Sequence, residues 1–367
     1  MQNRTLFVEV GFLEEILKKI IAPSLSEVRS PQHILRLQVL DIIENRRLSL
    51  DDYIRVEELA QSDNKDYAEY FTILKKRIEG GIIKLDEDSP FEHFNDVLDI
   101  NHYSEEQLLG TYFMNDNDGR RIRYAQTLGV LAIPASLNNV DASIFVNLPK
   151  KISRRENFHW HEVLNDLLPF SQCNSIIIFD NFIPKSYRSN LVPILSYVLN
   201  QDTRCPIDIT VVTSDKSRNR SGQINYLTER ALLNWLRREG IDINKISNHF
   251  KVIQITDRWI NERYGTSEDG SNNREKERIQ TLFHNRYIIT NNYVITCGRG
   301  FDEVREGYPL KNDDTFNRVY TMLLPDTNAY KAFCSDITGH LQDVRNVMDY
   351  NDDNRLITGY EISDGTY

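Results

Sequence analysis

Three short runs rich in β-branched residues, Ser175–Asp180 (SIIIFD), Ile207–Val212 (IDITVV) and Phe250–Ile255 (FKVIQI), are each followed or preceded by stretches patterned for helix. Leu191, Ile194, Leu195, Val198 and Leu199 recur at helical spacing between the first two runs. Ile224, Leu227, Ala231 and Trp235 do so between the second and third, with Arg230, Arg237 and Arg238 off that stripe. An uninterrupted apolar run is what a strand needs when both of its faces are covered, and the intervals are long enough for helical crossovers. This alternation restricts the region to the α/β class, with a mainly parallel sheet flanked by helices. A fourth run at Arg286–Thr290 is expected in the same sheet, paired as a hairpin with Tyr293–Thr296 across Asn291-Asn292, a dipeptide suited to tight turns.

A chain of 367 residues has room for two domains. We place an N-terminal α/β domain of unclear type at residues 1–150 and the domain just outlined at 151–367, with the basic, turn-rich NLPKKISRREN (Asn147–Asn157) between them. In the first domain Leu6–Val10 reads as a strand, and Ile16, Leu17, Ile20 and Ile21 read as a helical face. Ile34, Leu35, Val39 and Ile42 mark another helix, acidic helical stretches run on to about Leu109, and Leu128–Ile133 and Ile144–Val146 read as strands. In the second domain Asn261–Arg278 contains no aliphatic residue and predicts a long exposed loop. Tyr330, Phe333, Ile337, Leu341, Val344 and Met348 trace a helix, and DYNDDNRL after it reads as a polar turn.

Composition narrows the function classes. Net charge is −10, so the surface as a whole does not suit a polyanion, and contact with nucleic acid or an acidic headgroup must be local. Four widely spaced cysteines, Cys173, Cys205, Cys297 and Cys334, form no C-x-x-C pair and predict buried reduced thiols. No run is long and apolar enough to span a bilayer, and Met1-Gln2-Asn3-Arg4 does not open a signal peptide, so a cytoplasmic location without a transmembrane segment is expected.

The segment Phe283–Asp302 carries the most distinctive chemistry. His284-Asn285-Arg286 stands where a phospholipase D-like signature has His-Asp-Arg, and Gly298-Arg299-Gly300-Phe301-Asp302 stands where it has Gly-Arg-Gly-Leu-Asp. The stretch resembles the single degenerate motif in the C-terminal domain of MIT-domain-containing proteins and their bacterial relatives. The resemblance spans about Ser171–Asp302 as an order of elements and these twenty residues as a motif. It implies a phospholipase D-like domain. In the parent superfamily two His-x-Lys-x4-Asp motifs meet, one histidine attacking phosphorus and the other protonating the leaving oxygen. Here Arg286 replaces the lysine, Asn291 stands at the acid position, and no second strand-borne motif is present.

The resemblance therefore implies a noncatalytic module that binds a phosphate-bearing ligand, nucleic acid or acidic headgroup, or a protein partner, and that needs no cofactor. The candidate ligand contacts are His284, Arg286, Asn291, Arg299 and Asp302, joined by Lys216 and Arg218 from the loop after Ile207–Val212. Two alternatives stay open. One is a metal-independent phosphodiesterase or nuclease with His284 as nucleophile in a homodimer; the other is a structural subunit of a larger assembly. Plainer roles stand beside these: His284 as a hydrogen-bonded strand histidine, Arg299 paired with Asp302, and Lys216, Arg218 and Arg220 as a solvated loop. His159-Trp160-His161 opens a helix and has no third metal ligand nearby in sequence, so it reads as surface or capping residues. Trp235 and Trp259 read as core or edge aromatics.

Overall fold

The computed structural model describes residues 5–21, 23, 28, 30–41, 46–87, 91, 94, 103–115, 119–136, 150–151, 157–165, 172–180, 183, 190–214, 226–255, 286–297, 306–309, 318–321 and 354–358. The chain divides into two compact units, Gln2–Leu148 with Thr321–Lys331, and Pro149–Tyr320 with Ala332–Tyr367. Both are mixed α/β. No helix among the described residues is long and apolar enough to cross a membrane.

In the first unit the chain runs β1 (Leu6–Val8), α1 (Val10–Ile21), α2 (Pro31–Asp41), β2 (Arg46–Ser49), α3 (Leu50–Ala60), α4 (Lys65–Glu79) and β3 (Lys84–Asp86). It continues through α5 (Glu105–Leu109), β4 (Thr111–Met114), α6 (Arg120–Thr127) and β5 (Leu131–Pro134). The five strands lie in the order β3-β2-β1-β4-β5, and every neighbouring pair is parallel. The strand expected at Leu6–Val10 stops at Val8, because Val10 already begins α1. Val10, Phe12, Leu13, Ile16 and Leu17 form the buried stripe of that helix, and Phe12 meets Phe113 of β4 at 5.1 Å. The helix starts are capped as their sequences dictate: Ser49 accepts from Asp52 N, Asn64 from Asp66 N, and Ser104 and Gln107 close a capping box. The Phe7 ring stacks on Tyr112 at 4.7 Å, and a Cβ on Gly110 would lie 2.5 Å from that Phe7 ring, so only glycine fits there.

The second unit contains β6 (Lys150–Lys151), α7 (Trp160–Asn165), β7 (Ser175–Phe179), α8 (Leu191–Leu199), β8 (Ile207–Ser214), α9 (Glu229–Arg238) and β9 (Ile246–Ile255). After these come β10 (Arg286–Thr290), β11 (Tyr293–Cys297), β12 (Arg318–Thr321) and α10 (Arg355–Thr358). Among the described residues the seven strands of this unit form one sheet, β6-β12-β11-β10-β7-β8-β9, so the four runs expected together are together. The sheet is mixed rather than mainly parallel. β7, β8 and β9 are parallel, whereas β10 is antiparallel to β7 and to β11, and β12 to β6. Only two residues, Asn291 and Asn292, join β10 to β11, and a connection that short permits no parallel partner. Every residue of β7 and β8 is buried. Ile176, Ile178, Ile209 and Val211 share one core with Leu195, Val198 and Leu199 of α8, Leu232 and Leu236 of α9, and Phe158 and Trp160. The strand expected at Ile144–Val146, the loop Asn261–Arg278, the helix over Tyr330–Met348 and Trp259 lie outside the described residues.

Of the stretch DYNDDNRL only residues 354–356 are among those described, and Asn354 and Leu356 are fully buried. Asn354 accepts from Ser175 Oγ at 2.7 Å and donates to Thr210 Oγ1 at 3.0 Å, and so bridges β7 and β8. Arg355 donates through its backbone N to Asp208 Oδ2 at 3.0 Å and through its guanidinium to the carbonyls of Asn174 and Pro206, both at 3.1 Å. Its guanidinium also lies 3.4 Å from the wholly inaccessible Asp208 carboxylate. Removing one member of such a buried pair strands the other, so Arg355→Ala is expected to cost about 3 kcal/mol in urea denaturation.

Cys173 and Cys205 are buried free thiols. Burial pushes Cys173 up to about 12 and Cys205 to about 11. The folded chain therefore keeps protons that the unfolded chain releases above pH 9, so these groups lower stability as pH rises from about 9 towards 12. At neutral pH an aromatic disulfide reagent should modify both thiols only after denaturant is added; fast labelling of either in the folded protein would contradict this burial.

Candidate functional site

The strand register places the sequence motif. Tyr287 pairs with Phe179 and Arg286 with Cys297, so β10 begins where β7 ends, and the chain leaves β11 for Gly298 at that same edge. β8 finishes there too, through Phe179–Val212 pairing and a 3.1 Å bond from Asp180 N to Val212 O. From β7 the sheet extends outward to β9 on one side and to β10 on the other. Ligands of open α/β sheets bind at the carboxyl ends of strands where connections diverge in this way. Arg286 is thus at that edge by its backbone position. His284, Arg299, Asp302, Lys216 and Arg218 lie outside the described residues.

Asn291 lies elsewhere. It closes the hairpin at the far end of β10, five strand residues from Arg286, a separation of about 17 Å at the rise of an antiparallel strand. It is fully buried, its Oδ1 accepts from Asn174 N at 3.0 Å, and its amide donates to Asn292 Oδ1 at 3.3 Å. Thr290 Oγ1 fastens the same turn by accepting from Asn292 N at 3.1 Å and Tyr293 N at 2.9 Å. The residue expected to contact a ligand with Arg286 instead shapes the hairpin.

The first unit contains a crevice that the sequence reading did not anticipate. After β1 the chain moves to β2 and β3 on one side, then crosses to β4 and β5 on the other, so the switch point lies between β1 and β4. A crevice of about 350 Å³ opens there, lined by Glu9, Gly11, Ser49, Asp51, Asp52, Asn115 and Arg121. Each comes from a strand-to-helix junction. Glu9 is the single residue between β1 and α1, Ser49 to Asp52 span the β2–α3 junction, and Asn115 follows β4.

These side chains are interlocked. Arg121, in the first turn of α6, donates to both oxygens of Glu9 and, at 2.8 Å, to the carbonyl of Asn115. Glu9 Oε2 also accepts from Asn115 N. Asp52 Oδ1 accepts from Val10 N at 3.1 Å, satisfying an otherwise unpaired donor at the start of α1, while its Oδ2 accepts from Ser49 Oγ at 2.8 Å. Gly11 leaves room for the Asn115 amide, since a Cβ there would lie 2.7 Å from Asn115 Nδ2 and would displace it. Burial raises both carboxyls above their ordinary values, opposed at Glu9 by Arg121 and at Asp52 by hydrogen bonds from Ser49 and Val10. A positive charge beside these carboxyls favours their ionised form, as Arg121 does at Glu9.

No protein-family model matches the chain, and no curated protein matches it either. Function must therefore be argued from these two sheet edges. The crevice had one sequence signal, a polar or acidic residue directly after a short apolar run, in LFVE, RLSLDD and TYFMN. Nothing in the sequence brings those three places together.

Asp52→Ala should destabilise the protein by about 1–3 kcal/mol because it orphans Val10 N, whereas Asp52→Asn retains an acceptor and should recover most of that loss. Equal loss in the two variants, measured by urea denaturation, would show that the bond to Val10 is not what Asp52 supplies.

Proposed function

We propose that the Pro149–Tyr320 unit is a phospholipase D-like module that binds a phosphate-bearing ligand, nucleic acid or acidic headgroup, without cleaving it. What supports the reading is strand register: Arg286 starts β10 at the edge where β7 and β8 end and from which β11 leads into Gly298-Arg299-Gly300. An arginine offers a planar fork for two phosphate oxygens, and glycines let backbone N–H groups approach them. In this reading His284, Arg299, Asp302, Lys216 and Arg218 complete the contact set. Asn291 does not, because it is buried at the opposite end of the strand. The absence of a second motif from the sequence argues against cleavage.

The test is binding of a labelled single-stranded oligonucleotide and, separately, of vesicles carrying a phosphoinositide. Arg286→Ala should weaken binding by about one to two orders of magnitude, since a charge-assisted hydrogen bond is worth about 1.5–3 kcal/mol. His284→Ala should weaken it less. Cleavage of the oligonucleotide in EDTA that disappears in His284→Ala would establish the nuclease alternative instead.

A second reading belongs to the Gln2–Leu148 unit and is favoured by the switch-point crevice. Glu9, Asp51, Asp52 and Asn115 bring to the crevice the hard oxygen atoms that Mg²⁺ or Mn²⁺ prefers, and an ion there would share Glu9 with Arg121 and Asp52 with Val10 N and Ser49. Such a set suits metal-assisted hydrolysis of a phosphodiester. Oligonucleotide cleavage that requires Mg²⁺ or Mn²⁺, stops in EDTA and is lost in Asp52→Asn would support this reading. The same cleavage retained in Asp52→Asn would remove it.

A further inference from the structure

We propose that His159, His161 and Glu306 form a binding site for a zinc-class divalent transition-metal ion. One ligand atom from each of the three residues can be chosen so that all lie within 4.8 Å of one another. Around a tetrahedral Zn²⁺, with bonds of about 2.0–2.2 Å to nitrogen and oxygen, ligand atoms stand about 3.4 Å apart. Small side-chain rotations close that difference. Two imidazoles and a carboxylate are a donor set that suits zinc and its neighbours in the first transition row better than Mg²⁺ or Ca²⁺.

The backbone holds these three residues in place from two distant parts of the chain. Phe158 and Trp160 are both fully buried and meet edge to face at 5.1 Å. Trp160 is fixed further by donation from its indole Nε1 to Asn190 Oδ1 at 3.3 Å. With Phe158 and Trp160 in the core, His159 is left half-buried and His161 exposed, and their ring centroids lie 5.3 Å apart. Glu306 reaches them from 147 positions along the chain, its Oε1 2.8 Å from His159 Nδ1 and its Oε2 accepting from Trp160 N at 2.8 Å. Its own backbone is clipped to the same strip: Phe158 N donates to Tyr308 O at 2.9 Å, and Gly307 N to Phe158 O at 2.7 Å. Gly307 has φ of 76°, a conformation other residues rarely adopt, and so fixes the turn that presents Glu306.

An ion pair between His159 and Glu306 accounts for two of the three residues but not for the second imidazole beside the first. The second ring, 5.3 Å from the first between centroids, brings a further nitrogen donor to the place where a metal would be shared. His161 is exposed, so the fourth coordination position opens to solvent, the arrangement of zinc centres that retain a water. A metal held here ties residues 159–161 to residue 306 and so closes a long loop within the unit. The sequence alone spoke against this site because its carboxylate is so far from the histidine pair.

The test uses the full chain, freed of metal with a chelator and titrated with Zn²⁺ against a chromophoric zinc indicator. One equivalent should bind, and Zn²⁺ should raise the thermal midpoint. His161→Ala alters an exposed residue, so the metal-free protein should keep its circular dichroism and midpoint. Its Zn²⁺ affinity should nevertheless fall by more than the roughly 10–100-fold typical of losing an outer-shell partner, and its midpoint should no longer respond. Glu306→Gln should weaken binding too, and Co²⁺ should give the visible absorption of a nitrogen- and oxygen-ligated site in the wild type only. Wild type and His161→Ala binding Zn²⁺ equally, or wild type binding none, would overturn the proposal.

Discussion

The antiparallel pairing of β10 with β7 determines how the second unit is organised. Up to β9 the chain builds a parallel sheet by helical crossovers, each adding a strand outward from β7. β10 then lies on the opposite side of β7 and runs against it, Tyr287 facing Phe179 and Thr290 facing Ile176. This reversal brings the start of one strand to the ends of two others. It also buries the Asn291-Asn292 turn against the start of β7, where Asn174 N and the Gln172 carbonyl are its partners. If β10 paired in parallel, Arg286 would lie at the other edge and the motif would be parted from the β8 loop.

The strands of this unit could be read from the sequence because burial on both faces removes alternation and leaves unbroken apolar runs. β7 and β8 are buried throughout; β7 lies within its predicted run, and β8 extends two residues past its own, to Ser214. The direction of the sheet was harder: a helix-sized interval before β10 is compatible with either orientation, and only the short hairpin after it decides. In the first unit β2 (RRLS) and β3 (KLD) carry too few apolar residues to stand out, and β3 is an edge strand with Lys84 exposed. β4 (TYFM) is short and aromatic. Without these three strands the order β3-β2-β1-β4-β5 could not be assembled, and neither could its switch point.

The candidate sites follow the same division. A linear motif such as His284-Asn285-Arg286 is visible because its members are neighbours in sequence. Glu9, Asp52 and Arg121 are neighbours only after three strands have aligned, and Glu306 meets His159 only after the chain has completed most of the second unit. Asn291 shows the opposite error: it is close to Arg286 in sequence, but an extended strand carries it to the other end of the sheet. In the first unit the crevice residues follow the carboxyl ends of strands, where backbone groups leave the sheet and helix starts supply unpaired donors, whereas in the second Arg286 begins β10 at the edge where β7 and β8 end.

The grip of Asn354 and Arg355 on Ser175, Thr210 and Asp208 bears on the order in which the protein can mature on the ribosome. Domains generally fold as units while the chain is being synthesised, N-terminal part first. The Gln2–Leu148 unit has all five strands of its sheet once β5 has emerged. The seven-stranded sheet is different, for the buried carboxylate of Asp208 acquires its guanidinium partner only when Arg355, 147 positions further along the chain, leaves the exit tunnel. Until that moment the β7–β8 end of the sheet is a half-built surface, and nascent chains stalled before residue 354 would present it to chaperones and proteases.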